Sequence, residues 1–502
     1  MNLSKSKYLR GLQCDKSLWL DKNKPQLRNE KDKQSESLFE TGNKVGDLAK
    51  EFFPNGIEIK FDASSFDGMV NKTNELIGNG TEVIYEAAFK KDGMFVMIDI
   101  LVRNGSKWDM YEVKGSTSAK EKSGAIKKHY LNDASVQWFV SSNTIELNRA
   151  YIMHLNNKYV RNGDLKIKEL FTPVDITDLL KSQQDMIKEN ILHFIEVLNN
   201  EMPDIDIGTH CNSPYKCDFT SHCWKHIPKK NPIFSLSYGK KKAWELYKKG
   251  ILSLDDIPDD IKFTDKRSAF HVKHHKSQEI KIDKLQIKEF LNTIQYPINF
   301  FDFETFQNAI PRFDQQRSYA QMPFQYSLHI LHEDGRLEHK EFLGNEDKDP
   351  RYNLAIQMLK DITDTGSIIA YNKGFEKGKI RDLAELFEEI SGNLLALNER
   401  FIDLADPFDK KYYYHPKFNG KYSIKIVLPT LFPDDDTLDY KKLGSIQNGG
   451  DAMDTFANLH LLKDKSKRDV IRKDLLAYCK LDTFAMVKIW ERLHQVVEET
   501  NL

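Results

Sequence analysis

The chain has 502 residues, of which 40% are hydrophobic and 30% are charged. This length is too great for one ordinary hydrophobic core, and the composition is typical of folded domains, so we expect about two to four of them. The formal net charge of −1 excludes a global basic field, and a nucleic-acid partner would have to bind local patches. No apolar run reaches about 18 residues, and the basic N-terminus lacks an apolar core. The sequence therefore predicts a cytoplasmic protein without a signal peptide or a membrane span.

The first block of the chain alternates between helical and strand-like patterns. Residues 1–50 have the apolar spacing of helices. Short apolar runs between 81 and 115, separated by turns that contain glycine and lysine, are typical of strands. Helical periodicity returns at 125–140 and at 176–200. We therefore assign residues 1–227 to one α/β domain.

The rest of the sequence divides into a lysine-rich segment and a second α/β block. Residues 228–290 are rich in lysine, are interrupted by proline and contain a loose helix–glycine–helix pattern, which predicts a helical linker subdomain. The lysines between Lys225 and Lys249 form either a nucleic-acid-binding patch or an ordinary solvated helical face. Buried-strand patterns begin near residue 297 and the sequence ends in a helical pattern, so we expect residues 291–502 to form the second domain.

Two neighbouring predicted strands carry an acidic cluster in the first domain. Glu112 and Lys114 are two residues apart on one strand, so their side chains share a face that Asp99 on the preceding strand can reach. Two carboxylates there can bind Mg²⁺, which activates water, and Lys114 can orient that water. Further candidates are an outer acid and three polar residues on one face of the following helix: Glu86, Tyr130, Asp133 and Gln137. The alternative is a chance D…ExK pattern on an ordinary polar hairpin.

The cysteines form a second pattern. Five are too few for a disulfide framework in a cytosolic protein, but Cys211, Cys217 and Cys223 fall close together. Their C-x5-C-x5-C spacing is wider than the pairs that zinc sites favour. Thiolates also bind iron–sulfur clusters, which need four ligands, and Cys14 is the candidate for the fourth. Buried free thiols are the remaining alternative, and Cys479 is predicted to be a core residue.

A second acidic cluster is predicted in the C-terminal part of the sequence. Asp302 and Glu304 are two residues apart on a buried-strand pattern, and Tyr478 and Asp482 are four apart on a predicted helix, so each pair shares a face. Glu376 lies where a strand gives way to a helix. Acids that converge from a strand, a helix start and a distant helix can bind two metal ions, and Tyr478 can position the attacking water. The alternative is surface acids on ordinary elements.

The motifs of the first domain resemble those of a known nuclease superfamily. The sequence IDILV…YEVKGS is similar to the core of the RecB-type branch of the PD-(D/E)xK nucleases. The resemblance implies a restriction-endonuclease-like α/β fold with Asp99 and Glu112 as metal ligands. The implied catalytic residues are Asp99, Glu112, Lys114 and Gln137. Many members place a metal-binding histidine early in the chain, where this sequence has Gly46.

The cysteine pattern adds a second resemblance. One early cysteine, a nuclease core and three late cysteines are similar to the Fe–S nucleases associated with CRISPR adaptation and with helicase–nuclease complexes. This resemblance implies a [4Fe–4S] cluster, with Zn²⁺ as the alternative, and a helicase or another DNA-processing protein as a candidate partner. The implied cluster ligands are Cys14, Cys211, Cys217 and Cys223.

The C-terminal motifs FDFET, AYNKGFE and YCKLD resemble the three motifs of the DEDD exonucleases, in the variant of this DnaQ-type class with tyrosine in the last motif. This resemblance implies an RNase H-like α/β fold and 3′→5′ exonuclease activity. The implied catalytic residues are Asp302, Glu304, Glu376, Tyr478 and Asp482, of which Asp302, Glu304 and Asp482 are the implied metal ligands. Glu376 stands where most relatives have aspartate, and Asp403 is a weaker candidate.

Both halves together resemble a bacterial family of uncharacterised proteins that join a RecB-type Fe–S nuclease to a C-terminal DEDD-like domain, over nearly the whole chain. The resemblance predicts a Mg²⁺- or Mn²⁺-dependent nuclease that acts on DNA, at single strands or ends, rather than on RNA, without a membrane partner. One alternative is a nucleic-acid-binding or scaffold protein in which one or both sites are degenerate. The other is an RNA-processing exonuclease.

Overall fold

The computed structural model describes residues 3–30 and 33–499. The chain is a mixed α/β protein that divides into two compact units. The first unit comprises the described residues up to His226 together with Asn308–Tyr319. The second comprises Ile227–Gln307 and the described residues from Ala320 onward.

A mixed sheet forms the centre of the first unit. Its strands are β1 (Leu3–Ser4), β2 (Ile57–Glu58), β3 (Val83–Lys91), β4 (Met94–Asn104), β5 (Lys107–Lys114), β6 (Leu147–Leu155) and β7 (Phe171–Asp175). They lie in the order β2-β3-β4-β5-β6-β7, and β1 pairs with β4. Strands β3, β4 and β5 are antiparallel, and the register between β4 and β5 pairs Ile100 with Tyr111. Asp99 and Glu112 are the next residues on these two strands, so the register brings them side by side.

Helices cover both faces of this sheet. They are α1 (Lys5–Gln13), α2 (Asp15–Asn23), α3 (Lys33–Lys50), α4 (Phe66–Gly78), α5 (Lys128–Ser141), α6 (Ile167–Leu170), α7 (Thr177–Lys181), α8 (Gln184–Asn199) and α9 (Thr220–Cys223). Successive side chains of β3 point to opposite faces, and Ile84 and Tyr85 accordingly belong to different core clusters. Val136 and Val140 of α5 are fully buried in the cluster that contains Ile84. Helix α5 is therefore held firmly over β3–β5, where Gln137 faces the sheet.

Asn308–Tyr319 packs within the first unit, although the sequence patterns assign it to the second predicted domain. Arg161 Nη1 donates a hydrogen bond to Pro311 O (2.9 Å), and Tyr319 Oη donates one to Gly115 O (2.5 Å). These bonds end on backbone carbonyl groups, which every residue has. Ala309 is also buried in a core cluster of this unit, with Ile310 and Tyr319 packed against the cluster, so contacts with distant residues place this segment.

A second mixed sheet forms the centre of the second unit. The strands of this unit are β8 (Lys281–Ile282), β9 (Ile298–Phe306), β10 (Met322–Leu331), β11 (Leu337–Leu343), β12 (Ile368–Ala370), β13 (Phe401–Asp403) and β14 (Tyr413–Tyr414). The main sheet has the order β11-β10-β9-β12-β13, and β14 pairs separately with β8. Strand β9 is antiparallel to β10 and parallel to β12. As a central strand with both faces covered it is almost continuously apolar, and Phe300, Phe301 and Phe306 are fully buried.

The helices of the second unit are α10 (Lys240–Tyr247), α11 (Lys266–Ser277), α12 (Lys284–Leu291), α13 (Arg351–Asp361), α14 (Gly374–Leu386), α15 (Ser391–Asn398), α16 (Asp406–Asp409), α17 (Ile424–Leu431), α18 (Gly449–Leu459) and α19 (Lys465–Glu498). Helix α19 has 34 residues and packs against β9 and β10. Gln325 Nε2 on β10 donates a hydrogen bond to Leu475 O of α19 (2.8 Å). Within the described ranges, no helix has both the length and the apolar character needed to cross a bilayer.

The lysine-rich segment 228–290 lies within the second unit and has a small core of its own, which includes Ile233 and Leu246. The predicted helix–glycine–helix pattern is observed in part. Helix α10 is followed by Gly250, whose φ of +79° favours glycine because a Cβ is strained there. The next element, Leu254–Asp256, is a 3₁₀ turn rather than an α-helix.

Candidate metal centres

Three carboxylates meet in the second unit. Asp302 and Glu304 lie on β9, and Asp482 lies on α19. One oxygen atom from each lies within 4.8 Å of the other two. Oxygen ligands at about 2.1 Å from a Mg²⁺ ion lie about 3 to 4 Å from one another. The three side chains can therefore reach one divalent cation after small adjustments.

Burial and mutual repulsion govern the charge of these groups. Burial raises the pKa of Asp302 and of Glu304 well above the ordinary range, and the carboxylate of Asp482 raises both further. Burial also raises the pKa of Asp482 to about 6, although a hydrogen bond from Tyr440 Oη (2.6 Å) opposes the shift. The charged form of this cluster needs positive charge beside it, and protons or divalent cations can supply that charge.

A fourth acid lies close to the three. Glu376 is in the first turn of α14 and is 3% exposed, and burial raises its pKa to about 8. Its charge in turn raises the pKa of both carboxyl groups on β9. No described residue forms a hydrogen bond with its Oε2 atom. Glu376 therefore belongs to the same electrostatic group, as its position in the sequence motif predicts.

Asp403, the weaker candidate, has a different role. Its Oδ1 atom accepts a hydrogen bond from Asn372 N (2.9 Å), and its Oδ2 atom accepts one from Lys373 N (3.0 Å). Both donors lie in the loop that leads into α14, which carries Glu376. Asp403 thus holds the backbone of the loop before Glu376 in place. It does not itself belong to the group of three carboxylates.

Two residues that the sequence patterns do not identify complete this centre. Lys425 on α17 donates a hydrogen bond from Nζ to Tyr478 Oη (2.9 Å). Its ammonium group lies 5.1 Å and 4.9 Å from the ring centroids of Tyr440 and Tyr478. Neither Lys425 nor Tyr440 has a fixed spacing to the acidic motifs, so the sequence contains no signal that could have found them. The predicted Tyr478 does lie beside the carboxylates, since burial and then the charges of all three raise the pKa of its phenol.

The first unit brings together the predicted residues Asp99, Glu112, Lys114 and Gln137. Lys114 Nζ and Gln137 Nε2 donate hydrogen bonds to the two oxygen atoms of Glu112, at 2.7 Å and 2.5 Å. Asp99 Oδ2 accepts a hydrogen bond from Val113 N (2.6 Å) on the neighbouring strand. Burial raises the pKa of Glu112 to about 7, and the neighbouring carboxylates contribute to the same shift.

A lysine from the N-terminal helix also enters this centre. Lys5, the first residue of α1, has its Nζ 3.1 Å from Glu112 Oε1 and 3.1 Å from Asp133 Oδ1. Lys114 forms a second, close ion pair with Asp133. Burial opposes ionisation of Asp133, but the two lysines hold the pKa of this carboxyl well below its usual range. Two ammonium groups therefore compensate two carboxylates here, in contrast to the second unit.

The outer acid of the first centre lies on β3, and the position where many relatives have a metal-binding histidine lies on α3. Glu86 adopts a positive φ of 56°, and burial raises its pKa. Burial raises the pKa of Asp99 and Lys5 lowers it, and the charge of Glu86 is the next cause, which raises this pKa. Gly46 lies on α3, where an added Cβ would meet no atom within 4 Å. Space for a side chain exists at this position, but none is present.

The implied cluster ligands line one cavity of the first unit: Cys14, Cys211, Cys217 and Cys223. Gln13 Nε2 donates hydrogen bonds to His210 O (2.7 Å) and to Tyr215 O (2.8 Å), which hold Cys14 beside the loop of the late cysteines. Burial raises the pKa of Cys14 and of Cys223, and neighbouring thiols add to both shifts. All four are free thiols. Cys479 lies apart from them, buried in α19.

The separation of the four sulfur atoms bears on the kind of metal they fit. Among the described side chains, the acidic group of the second unit is the only set of three whose ligand atoms all lie within 4.8 Å of one another. No three cysteine sulfur atoms are therefore that close. A tetrahedral Zn²⁺ with Zn–S bonds of about 2.3 Å needs sulfur atoms about 3.8 Å apart. A multi-iron cluster, in which each thiolate binds a different iron, needs a wider arrangement.

Comparison with known proteins identifies relatives without an assigned function. A model of a domain of unknown function, DUF2779, matches residues 299–423, which include most of β9, the start of α14 and β13. The chain is 28% identical over 250 residues to "Uncharacterized protein UU173" of Ureaplasma parvum, covering 45% of this chain and 35% of that protein. It is 28% identical over 207 residues to "Uncharacterized protein MG366 homolog" of Mycoplasma pneumoniae, covering 38% and 31%. The chain thus spans about a third of the length of these curated relatives.

Replacement of Glu376 by glutamine tests the electrostatic coupling of the acids. The carboxyl group has its pKa raised from 4.5 to about 8 in the folded protein, so between these values the folded state retains a proton that the unfolded state has lost. Wild-type stability should therefore fall with rising pH over this window, relative to Glu376→Gln. We expect the variant's advantage to grow to at most roughly 4 to 5 kcal/mol, at about 1.4 kcal/mol per pKa unit.

The measurement is urea unfolding in EDTA of the wild type and Glu376→Gln across that pH range. Addition of Mg²⁺ should reduce the difference at the alkaline end, because a bound cation favours the charged carboxylate. A difference between the two proteins that stays constant with pH would show that Glu376 ionises normally and does not share the charge of the cluster.

Replacement of Lys5 by methionine tests charge compensation in the first unit. The comparison is made in a protein that also carries Asp302→Asn. Addition of Lys5→Met to this protein should increase its affinity for Mn²⁺ at least about tenfold, a change of about 1.4 kcal/mol. The reason is that Glu112 and Asp133 lose one of their two compensating cations. Isothermal titration gives the affinity, and Lys7→Met on the same helix is the control. Equal affinities in the Lys5 and Lys7 variants would contradict the expectation.

Proposed function

We propose that the chain is a divalent-metal-dependent nuclease whose principal hydrolytic centre is the acidic group of the second unit. One observation carries the proposal: Asp302, Glu304 and Asp482 hold ligand oxygen atoms within 4.8 Å of one another in a buried setting. Like charges at this separation are costly unless cations lie between them. The acids also come from a strand, a helix start and a distant helix, which is the arrangement that the resemblance to DEDD exonucleases implies.

The chemistry proposed is hydrolysis of a phosphodiester. Asp302, Glu304 and Asp482 would hold the metal ions, with Glu376 as the additional acid. Bound divalent cations supply a more acidic water and charge stabilisation at the phosphate. Tyr478 Oη lies where it can orient the attacking water. The water oxygen forms a bond to phosphorus, the bond from phosphorus to the 3′ oxygen breaks, and a proton ends on that 3′ oxygen.

The mixed five-stranded sheet with β9 at its centre supports an RNase H-like domain, and the sheet of the first unit, with Asp99 and Glu112 on adjacent strands, supports a PD-(D/E)xK domain. Such a first domain would supply a second nuclease site. Metal binding there would have to displace or share the carboxylates with Lys5 and Lys114.

Non-catalytic nucleic-acid binding is the second candidate function, for the first unit alone. The observation that favours it is the pairing of Lys5 and Lys114 with Glu112 and Asp133, which reduces the need for a metal ion. In that case the first unit would bind the strand that the second unit cleaves. Its substrate would be the same polymer, DNA in preference to RNA.

A cluster of the [4Fe–4S] type is the proposed occupant of the cysteine cavity. Support comes from the four free thiols around one cavity, of which no three have sulfur atoms that all lie within 4.8 Å of one another. The cluster would join Cys14 to the late cysteines, a role in stability rather than in hydrolysis.

Substitutions of one acid in each unit test the principal centre. On end-labelled single-stranded DNA with Mg²⁺, Asp302→Asn should lower kcat by about a hundredfold or more, because loss of one charge-stabilising group costs about that much. Asp99→Asn, a matched change of an acid on a central strand of the other unit, should retain most of the activity at the 3′ end. Product ladders on denaturing gels give the rates, and a parallel RNA substrate tests the preference.

Two results would overturn the assignment. One is absence of Mg²⁺-dependent cleavage by the wild type on both polymers. The other is equal activity of the wild type and Asp302→Asn, provided that both have the same thermal unfolding midpoint. A large loss in Asp99→Asn alone would move the principal centre to the first unit.

Elemental analysis tests the cluster. Protein purified without oxygen should be brown and contain about four iron atoms per chain. Cys14→Ser should lose the colour and the iron and should unfold at a lower temperature. Cys479→Ser, the matched control, should keep the colour and the iron. If the wild type contains about one zinc atom per chain and no iron, the cysteines form a zinc site and the cluster proposal is wrong.

A further inference from the structure

Lys425 is a cation whose charge acts on the acidic centre of the second unit. It lies near the start of α17 (Ile424–Leu431), and its charge acts on Asp302, Glu304 and Asp482, whose pKa values it lowers. Its Nζ donates to Tyr478 Oη (2.9 Å) and stands over two aromatic rings. The side chain is nevertheless exposed overall. Its ammonium end is thus fixed by neutral partners while it remains accessible from outside.

The pairing of this lysine differs from that of the lysines in the first unit. Lys5 and Lys114 each contact two carboxylates within 3.1 Å. In the part of the chain that the structure describes, Lys425 forms no ion pair within 4.0 Å, although its charge acts on three acids of the centre. No carboxylate of the described residues therefore pairs with this ammonium group, and an anion that enters the centre can bind it.

A glycine lies beside this centre. At Gly449, the first residue of α18, an added Cβ would lie 3.8 Å from Glu304 Oε2 and 4.0 Å from Tyr478 Oη. Glycine at this position adds no side chain beside the carboxylate and the phenol.

We propose that Lys425 is a further catalytic residue, which binds a non-bridging oxygen of the substrate phosphate. This inference rests on the proposed function, since it adds a group to that same site. In phosphoryl transfer, charge is spread over the non-bridging oxygen atoms, and a fixed ammonium group stabilises it. The lysine uses Tyr478 Oη as an acceptor, so the phenol hydrogen points away from the lysine, and a hydrogen bond from Tyr478 lowers the pKa of Asp482.

The chemical class of ligand follows from this arrangement. A lone ammonium beside a metal-binding carboxylate group fits a phosphodiester, which offers negative oxygen atoms to the metal ions and to the lysine together. A compact point charge recognises phosphate without reading the base. Lys425 should therefore contribute equally to substrates of different sequence.

The test compares Lys425→Met, Lys425→Arg and the control Lys421→Met, an exposed lysine outside α17. With Mg²⁺ and end-labelled single-stranded DNA, Lys425→Met should lower kcat by about 10- to 1000-fold, and Lys425→Arg should recover a large part. The thermal unfolding midpoint of each variant shows that it is folded. Lys421→Met should match the wild type.

A second arm measures binding rather than turnover. In an Asp302→Asn protein, the affinity for the same DNA is determined over a range of salt concentrations. Loss of one phosphate contact on a single strand reduces the slope of log K against log salt by about 0.7, and we expect that reduction for Lys425→Met alone. If Lys425 only positions Tyr478, Lys425→Met should leave the slope unchanged, and that result overturns the proposal. The proposal is also overturned if the wild type is active and Lys425→Met has the same kcat.

The two arms also separate this inference from the function on which it rests. If the wild type hydrolyses neither DNA nor RNA, the proposed function fails. The salt dependence then still decides whether Lys425 contacts phosphate. If the wild type is active and the lysine variants are indistinguishable from it in both arms, only the proposal for Lys425 fails.

Discussion

Repulsion among buried carboxylates is the constraint on which the second unit depends. Asp302 and Glu304 are fixed on β9, which is hydrogen-bonded on both sides, and Asp482 is fixed on the long helix α19. These elements cannot move apart without breaking the sheet or its packing, so the acids cannot relieve their repulsion by separation. Relief must come from protons or cations, which is why the raised pKa values and the metal-binding geometry are two consequences of one arrangement.

The first unit solves a similar problem in a different way. There, Lys5 and Lys114 lie between Glu112 and Asp133 and supply the compensating charge from within the chain. Carboxylates that are already paired gain less from a metal ion than carboxylates that are not. The difference in compensation, rather than the presence of acids as such, leads us to assign the principal chemistry to the second unit.

The sequence predicted the elements that carry the acids because their local patterns are strong. A central strand is apolar on both faces, so the acids of FDFET stand out on β9, and the i, i+4 spacing of Tyr478 and Asp482 requires only a helix. Lys5, Lys425 and Tyr440 could not be predicted. Lysine and arginine together number 74 in this chain, and tertiary packing alone decides which of them lies beside an acid.

The two compact units divide the chain differently from the local sequence patterns, because contacts between distant residues define the units. The stretch Asn308–Tyr319 joins the first unit, where Ala309 is buried in a core cluster and Tyr319 Oη donates a hydrogen bond to Gly115 O. The lysine-rich segment has its own small core, yet it groups with the second unit. Local patterns therefore identify the elements and the acids, whereas the compensating cations and the unit boundaries are set by contacts between distant parts of the chain. In this protein those contacts include the ones that determine whether an acidic cluster needs a metal ion.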